Sequence, residues 1–173
     1  MRDDLYLDLY NKEQDYWWHV GKRAIVYGLL DRALRRMPGP ISSLDVGCGT
    51  GHNLHSPARY GSVVGTDFYE DALAFCRRRG HIQLCKADAA ALPFDNGSFH
   101  LITALDVVEH LDDDALALRE MRRVLRPGGL VVISVPAYKL LWSYWDDILR
   151  HRRRYTVGSL GKVVRASDLQ IVK

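Results

Sequence analysis

The chain is expected to adopt an α/β fold, a doubly wound, Rossmann-like and mostly parallel sheet covered on both faces. Short apolar runs alternate with amphipathic stretches along most of its length. A glycine-rich turn, "GCGTG", follows the first apolar run directly, and three successive runs carry an aspartate at or near their ends. Alternation of this kind implies βα units, and continuous apolar runs suit strands that are buried on both sides.

The elements follow in order. Residues 1–40 read as a helical lead-in that belongs to the same domain and acts as a lid. Within it "GKRAIVYGLLDRALRRM" (21–37) is an amphipathic helix closed by "PGP". Strands are expected at 43–47, 62–67, 81–88, 100–106 and 130–136. Pro57 falls where the helix after the first strand should run, so that helix is expected to be short or kinked. "EDALAFCRRRG" (70–80) is a helix with Gly80 as its C-terminal stop. "DDDALALREMRRVLRPGG" (112–129) opens with acids, repeats Leu118, Met121 and Leu125 at helical spacing, and is expected to stop at Pro127-Gly128-Gly129. "LQIVK" (169–173) reads as one more strand.

A length of 173 residues fits one domain. Such a chain buries roughly 70% of its unfolded surface and needs no staples. A hydrophobic content of 47% and a charged content of 26% are those of a globular protein. The net charge of +3 is too mild to point to nucleic acid or a membrane surface. Cys48, Cys76 and Cys85 form no CxxC pair and no metal spacing, which suits a reducing compartment. The amino-terminal stretch is acidic and lacks the apolar run of a signal peptide. No stretch is long and apolar enough to span a bilayer. A cytoplasmic location is therefore expected.

Glycine loses more backbone entropy on folding than any other residue, so Gly47, Gly49 and Gly51 imply that something needs bare main chain. In doubly wound folds the ligand lies at the carboxyl ends of the strands, where strand order reverses. The pattern here is GxGxG, with His52 where a dinucleotide fold wants its last glycine, which weakens a pyrophosphate reading. Asp67 closes the second strand, 20 residues after Gly47. A carboxylate there can accept hydrogen bonds from both hydroxyls of a ribose. Asp88 closes the third strand and, with the backbone that follows, can read the edge of an adenine.

On these residues the chain resembles the class I S-adenosylmethionine-dependent methyltransferases, close to the ubiquinone/menaquinone-biosynthesis type. The resemblance rests on "LDVGCGTG" (44–51), "VVGTD" (63–67), "KADAAALPFDNGSFHLI" (86–102), "DVVEHL" (106–111) and "RRVLRPGGLVVISVP" (122–136). It covers about residues 41–136, within a cofactor-binding domain at 41–173. It implies that Gly47, Gly49 and Gly51 border the methionine part of S-adenosylmethionine, with Asp45 near its amino group and Cys48 and Asn53 in the same loop. Asp67 takes the ribose hydroxyls, Asp88 and Ala89 face the adenine edge, and Leu105 lends backbone contacts. Phe68 either packs on the adenine or is plain core. Tyr69 departs from the small polar residue common in relatives. The family's sheet ordinarily ends with two antiparallel strands. Residues 169–173 would be the first and the last is missing, which leaves an edge at which two copies can pair.

Methyl transfer needs an aligned nucleophile more than a catalytic side chain, since orientation alone supplies on the order of 7–11 kcal/mol. His110, His151 and Tyr138 are candidate bases, His110 first among them. Tyr16, Trp17 and Trp18 either line a planar or apolar substrate or anchor the lead-in on the sheet. His151, Arg153 and Tyr155, in "HRRRYT" (151–156), either bind an anionic group or sit in salt bridges. Asp112, Asp113 and Asp114 at a helix start need no cation, and no metal is expected. The expected activity is methyl transfer to a small-molecule or lipid-like acceptor, yielding S-adenosylhomocysteine. An inactive cofactor-binding protein or partner subunit is the alternative. A nucleic-acid methyltransferase fits less well, because the chain lacks both the strong phosphate-binding surface and the base-directed motifs.

Overall fold

The structure, a computed structural model, describes residues 3–35, 37 and 39–172, and side chains from residue 5 onward. Helices α1 (Asp3–Lys12) and α2 (Trp17–Leu34) lead into strand β1 (Ile41–Val46). Then come β2 (Gly61–Asp67), α3 (Glu70–Arg78), β3 (Leu84–Lys86), β4 (Phe99–Leu105), α4 (Asp114–Val124), β5 (Leu125–Ser134), α5 (Tyr144–Ile148) and α6 (Val157–Ala166). The strands form one sheet in the order β3-β2-β1-β4-β5, and every pair is parallel. The order reverses between β1 and β4, so the carboxyl ends of those two strands flank the crevice where such folds bind ligands.

Period-two alternation divides each central strand between two faces. Leu44 and Val46 of β1 and Ile102 and Ala104 of β4 join Leu118, Met121 and Val124 of α4, with α6 packed against them. The alternate residues Ile41, Leu101 and Leu105 meet Val26, Leu30 and Leu34 of α2. Leu54, Leu73, Cys76 and Cys48 make a smaller cluster with Val63 of β2, whose register partner Ser43 lies on the α2 face. The expected burial on both faces is thus met by α2 and α3 on one side and α4 and α6 on the other.

Several boundaries differ from expectation, whereas the stretch after β1 is short, as Pro57 implies. It holds two short 3-10 segments, His52–His55 and Pro57–Arg59, with Pro57 opening the second. The third strand is only Leu84–Lys86, at a sheet edge with a single neighbour to define it. Helix α4 starts at Asp114 rather than 112, because the Asp113 carboxylate caps it by accepting the Leu116 N–H at 2.8 Å. It ends at Val124, not at 129. Leu125 is extended and pairs with Phe99, and Arg126 precedes a proline, which disfavours the helical region. Pro127-Gly128-Gly129 therefore lies inside β5, at a register shift between Phe99 and Leu101.

Residues 169–172 form no strand; Lys173 lies outside the described residues, as do Arg36 of the expected helix at 21–37 and Pro38 of the "PGP" that closes it. The chain leaves α6 through Asp168 at φ +55°, with the Leu169 N–H donating back to the Val164 carbonyl. Ile171 and Val172 are exposed. The expected antiparallel edge is thus not formed among the described residues, and β3 and β5 are the edges of the sheet. No helix among them is long and apolar enough to cross a membrane.

Candidate active site

The turn after β1 brings its three glycines to positive φ, for two different reasons. A Cβ on Gly47 would stand 2.5 Å from Val107, and one on Gly51 would stand 2.8 Å from the Cys76 sulfur. These two are glycine because the protein itself fills the space. A Cβ on Gly49 would meet nothing nearer than Leu9, at 4.0 Å. Of the three, only Gly49 has its Cα facing open space, while its N–H is taken by Asp67 and its carbonyl by the Cys76 thiol.

Asp67, at the end of β2, is aimed at this opening. Its carboxylate accepts the Gly49 N–H and the Tyr69 N–H, both at 3.0 Å. Burial pushes its pKa up, while the backbone donors pull the other way. Asp45 lies deeper, 2% exposed, on the face that β1 shares with Thr103. One carboxylate oxygen accepts the Thr103 hydroxyl, and the other, Oδ2, has no partner. Burial pushes its pKa up to about 7. A buried oxygen without a donor is costly, and a cation arriving there would relieve it.

The remaining candidates take the following places. Leu105 is buried at the end of β4. Cys48 is buried in the turn, its N–H donating to the Thr66 carbonyl at 2.8 Å. Asn53 is held from α2, the Tyr27 hydroxyl donating to its carbonyl and side-chain oxygens at 3.0 and 3.1 Å. Phe68 is 57% exposed beside Tyr69, which removes the plain-core alternative. Asp88 is exposed and accepts the Ala90 N–H at 2.8 Å; Ala89 between them is buried. Tyr16, Trp17 and Trp18 are each half or more exposed and stack edgewise or tilted on one another, so they do not anchor the lead-in on the sheet.

Several residues of this site were not found by sequence reasoning. Glu13, at the end of α1, accepts the Thr50 hydroxyl and the Arg79 guanidinium, the latter at 2.7 Å. Arg79 also donates to the Thr50 carbonyl at 2.9 Å and lies 4.1 Å from the Tyr10 ring centroid. Tyr6 is buried against Tyr69 and Phe75, and burial with the nearby Asp67 charge holds its hydroxyl protonated. These contacts tie α1 across the glycine turn. From α2, Lys22 pairs with Asp106, the residue after β4, which sits at φ +58° and accepts the Ser134 hydroxyl at 2.8 Å. The sole sequence signal is the arginine run 77–79 at the end of the expected helix, where cations suit the helix dipole.

The segment after β5 makes a second polar group. Asp146 is 1% exposed and accepts His151 Nδ1 at 2.8 Å, Arg154 through two nitrogens at 2.7 and 2.8 Å, and the Ser143 N–H at 2.8 Å. These donors hold its carboxyl well below the usual range. The His110 ring stands 4.8 Å from that of His151, and burial lowers its pKa to about 4. Arg153 donates to Asp114 at 3.0 Å and to the Leu111 and Asp112 carbonyls at 2.9 and 3.0 Å. Tyr155 is buried, its hydroxyl on Asp114 at 2.7 Å. Arg152 pairs with Asp112. The basic run is thus bonded to the acids of 112–114 and to Asp146, the salt-bridged alternative of its two readings. Tyr138 is exposed at φ +54°, its N–H on the Tyr155 carbonyl.

Residues 44–133 match the family described as "Methyltransferase domain". A "Probable S-adenosylmethionine-dependent methyltransferase" of Mycolicibacterium smegmatis is 32% identical over 163 residues, covering 92% of this chain and 61% of its own length. A "Demethylmenaquinone methyltransferase" of Shouchella clausii is 34% identical over 120 residues, 60% of this chain and 51% of its own. The chain thus spans about half the length of these relatives. A putative methyltransferase from Bacillus halodurans superposes with a TM-score of 0.65 at 26% identity, over 82% of this chain and 67% of its own. The Haloferax volcanii complex of the Trm112 methyltransferase activator with a putative methyltransferase gives 0.75 at 20% identity, over 100% and 79%, a likeness of fold alone.

Proposed function

Because the chain belongs to the methyltransferase-domain family, we propose that it binds S-adenosylmethionine over Gly49 and transfers its methyl group to a small-molecule or lipid-like acceptor. One observation carries this reading: a glycine whose Cα faces open space, a carboxylate bonded beside it and a buried unpartnered carboxylate oxygen all lie at the carboxyl ends of β1 and β2. Asp67, fixed by two backbone donors, keeps lone pairs free for the ribose hydroxyls. Asp45 Oδ2 meets the amino group of the methionine part. The exposed Phe68 ring covers the adenine, and Asp88 with the Ala89 backbone reads its edge. Leu105 contributes backbone at the end of β4.

The cofactor supplies an electrophilic methyl carbon bonded to a sulfonium. The chain's part is to hold an acceptor in line with that bond and to keep water out. Helix α1, tied by Glu13 and Arg79, covers the turn. His110 and His151 stand beyond β4 as the groups that meet the acceptor, and His110 is neutral near pH 7. Tyr16, Trp17 and Trp18 offer an exposed aromatic surface for an apolar or planar acceptor. The demethylmenaquinone methyltransferases among the relatives support a small-molecule acceptor. Radiolabelled methyl transfer tests this across a panel of phenols, quinols, amines and lipid headgroups. Product from at least one class is expected. Tight cofactor binding with no product from any of them favours a non-catalytic binder.

A further inference from the structure

Glu109 is fully buried, and neither of its carboxylate oxygens has a hydrogen-bond partner. A protonated carboxyl would still want an acceptor for its hydrogen and a donor for its other oxygen. What does stand beside it is a pair of imidazoles. One ligand atom each from Glu109, His110 and His151 lie within 4.8 Å of one another, the sole such group of three among the described residues. We propose that these three side chains bind one divalent first-row transition ion, of the zinc or iron(II) type, on the acceptor side of β4.

The chemistry of the donors favours this over a chance cluster. Two imidazoles and one carboxylate suit such ions better than magnesium or calcium. Histidines that ligate a metal ordinarily anchor their second ring nitrogen on a carboxylate or a backbone carbonyl, which fixes the tautomer. His151 does so here. His151 Nδ1 is held by Asp146, itself locked by Arg154 and Ser143. His110 stands beside it, its ring centroid 4.8 Å from that of His151. The two contributing segments are also bound to each other. The Arg152 N–H donates to the Glu109 carbonyl at 2.9 Å, and its side chain donates to the His110 carbonyl at 3.0 Å.

Ligand atoms around a tetrahedral zinc lie about 3.3 Å apart, so the three groups need to draw in by roughly 1.5 Å at most. Three protein ligands leave at least one position open. In this arrangement His110 meets the acceptor through the ion rather than as a proton carrier. Ion binding itself does not depend on the cofactor assignment.

The metal-stripped 173-residue chain is titrated with Co2+ and read by its visible absorption bands, then challenged with Zn2+ by calorimetry. One Co2+ per chain, displaced by Zn2+, is expected. Glu109→Gln and His151→Asn each weaken binding by about tenfold or more. His55→Asn, in the separate ring group of His52, His55 and His81, leaves it unchanged. X-ray absorption of the Zn2+-loaded wild type gives a readout that needs no variant, with two imidazole ligands expected. No saturable binding, a spectrum without imidazole, or folded variants that bind as the wild type does would each overturn the proposal.

Discussion

Replacement of Asp45 by asparagine separates what this buried carboxylate does for the fold from what it does for the cofactor. The amide oxygen of the variant still accepts the Thr103 hydroxyl, and the charge is gone. Burial lifts the Asp45 pKa from 3.8 to about 7 in the folded protein. Because the folded value is raised, the carboxyl stabilises the fold fully below about pH 4. That contribution is lost as pH rises toward and through 7. Three pH units at about 1.4 kcal/mol each give a loss on the order of 4 kcal/mol for the ligand-free wild type. Asp45→Asn lacks this slope. Urea unfolding from pH 4 to pH 8 should show the variant gaining on the wild type across the window. Binding should change in the opposite sense. A charge-assisted hydrogen bond is worth about 1.5–3 kcal/mol, so the variant should bind S-adenosylmethionine roughly 10- to 150-fold more weakly at pH 8. Wild-type affinity should itself rise between pH 6 and pH 8, with proton release detected by calorimetry in buffers of different ionisation enthalpy. A variant with the wild-type pH slope and wild-type affinity would refute this role for the buried oxygen.

Other substitutions divide the site into parts. Gly49→Ala should keep a folded protein, at about 1–2 kcal/mol for its positive φ, and abolish cofactor binding in calorimetry. Gly47→Ala should instead lower the melting temperature more strongly, because its Cβ collides with Val107. Equal effects of the two on stability would contradict their separate reasons for being glycine. Glu13→Ala leaves a nearly buried Arg79 without its carboxylate and should loosen α1 by roughly 2–4 kcal/mol, seen as faster amide exchange over residues 3–12. Tyr155→Phe should lower stability by about 1–2 kcal/mol in denaturant titration and leave cofactor affinity unchanged, since its hydroxyl serves Asp114.

The sheet was legible because its signals are local. Runs such as "SLDVG" and "HLITALD" are continuous in apolar character, and Asp67 marks the end of β2 without any knowledge of its neighbours. The end of α4 was misplaced because the periodic signal carries through Leu125. Backbone pairing with Phe99 and the restriction before Pro127 decide the boundary instead. "LQIVK" has strand composition, but a strand forms only where a partner edge awaits it. The site residues that escaped notice share one property. Glu13, Lys22 and Glu109 take their meaning from groups 37, 84 and 42 positions away or more, at Thr50, Asp106 and His151. No spacing rule encodes such meetings. The arginine run shows the reverse case. Its charge was plain in the sequence, and only the structure shows Asp112, Asp114 and Asp146 already satisfying it.

The most direct measurement is a calorimetric titration of S-adenosylmethionine into the wild-type chain and into Asp67→Ala. One site per wild-type chain is expected, with affinity at least about tenfold lower in the variant, because the carboxylate beside Gly49 carries the ribose contact. Equal affinity for the two proteins, or no binding by the wild type, would contradict the assignment of this crevice to the cofactor.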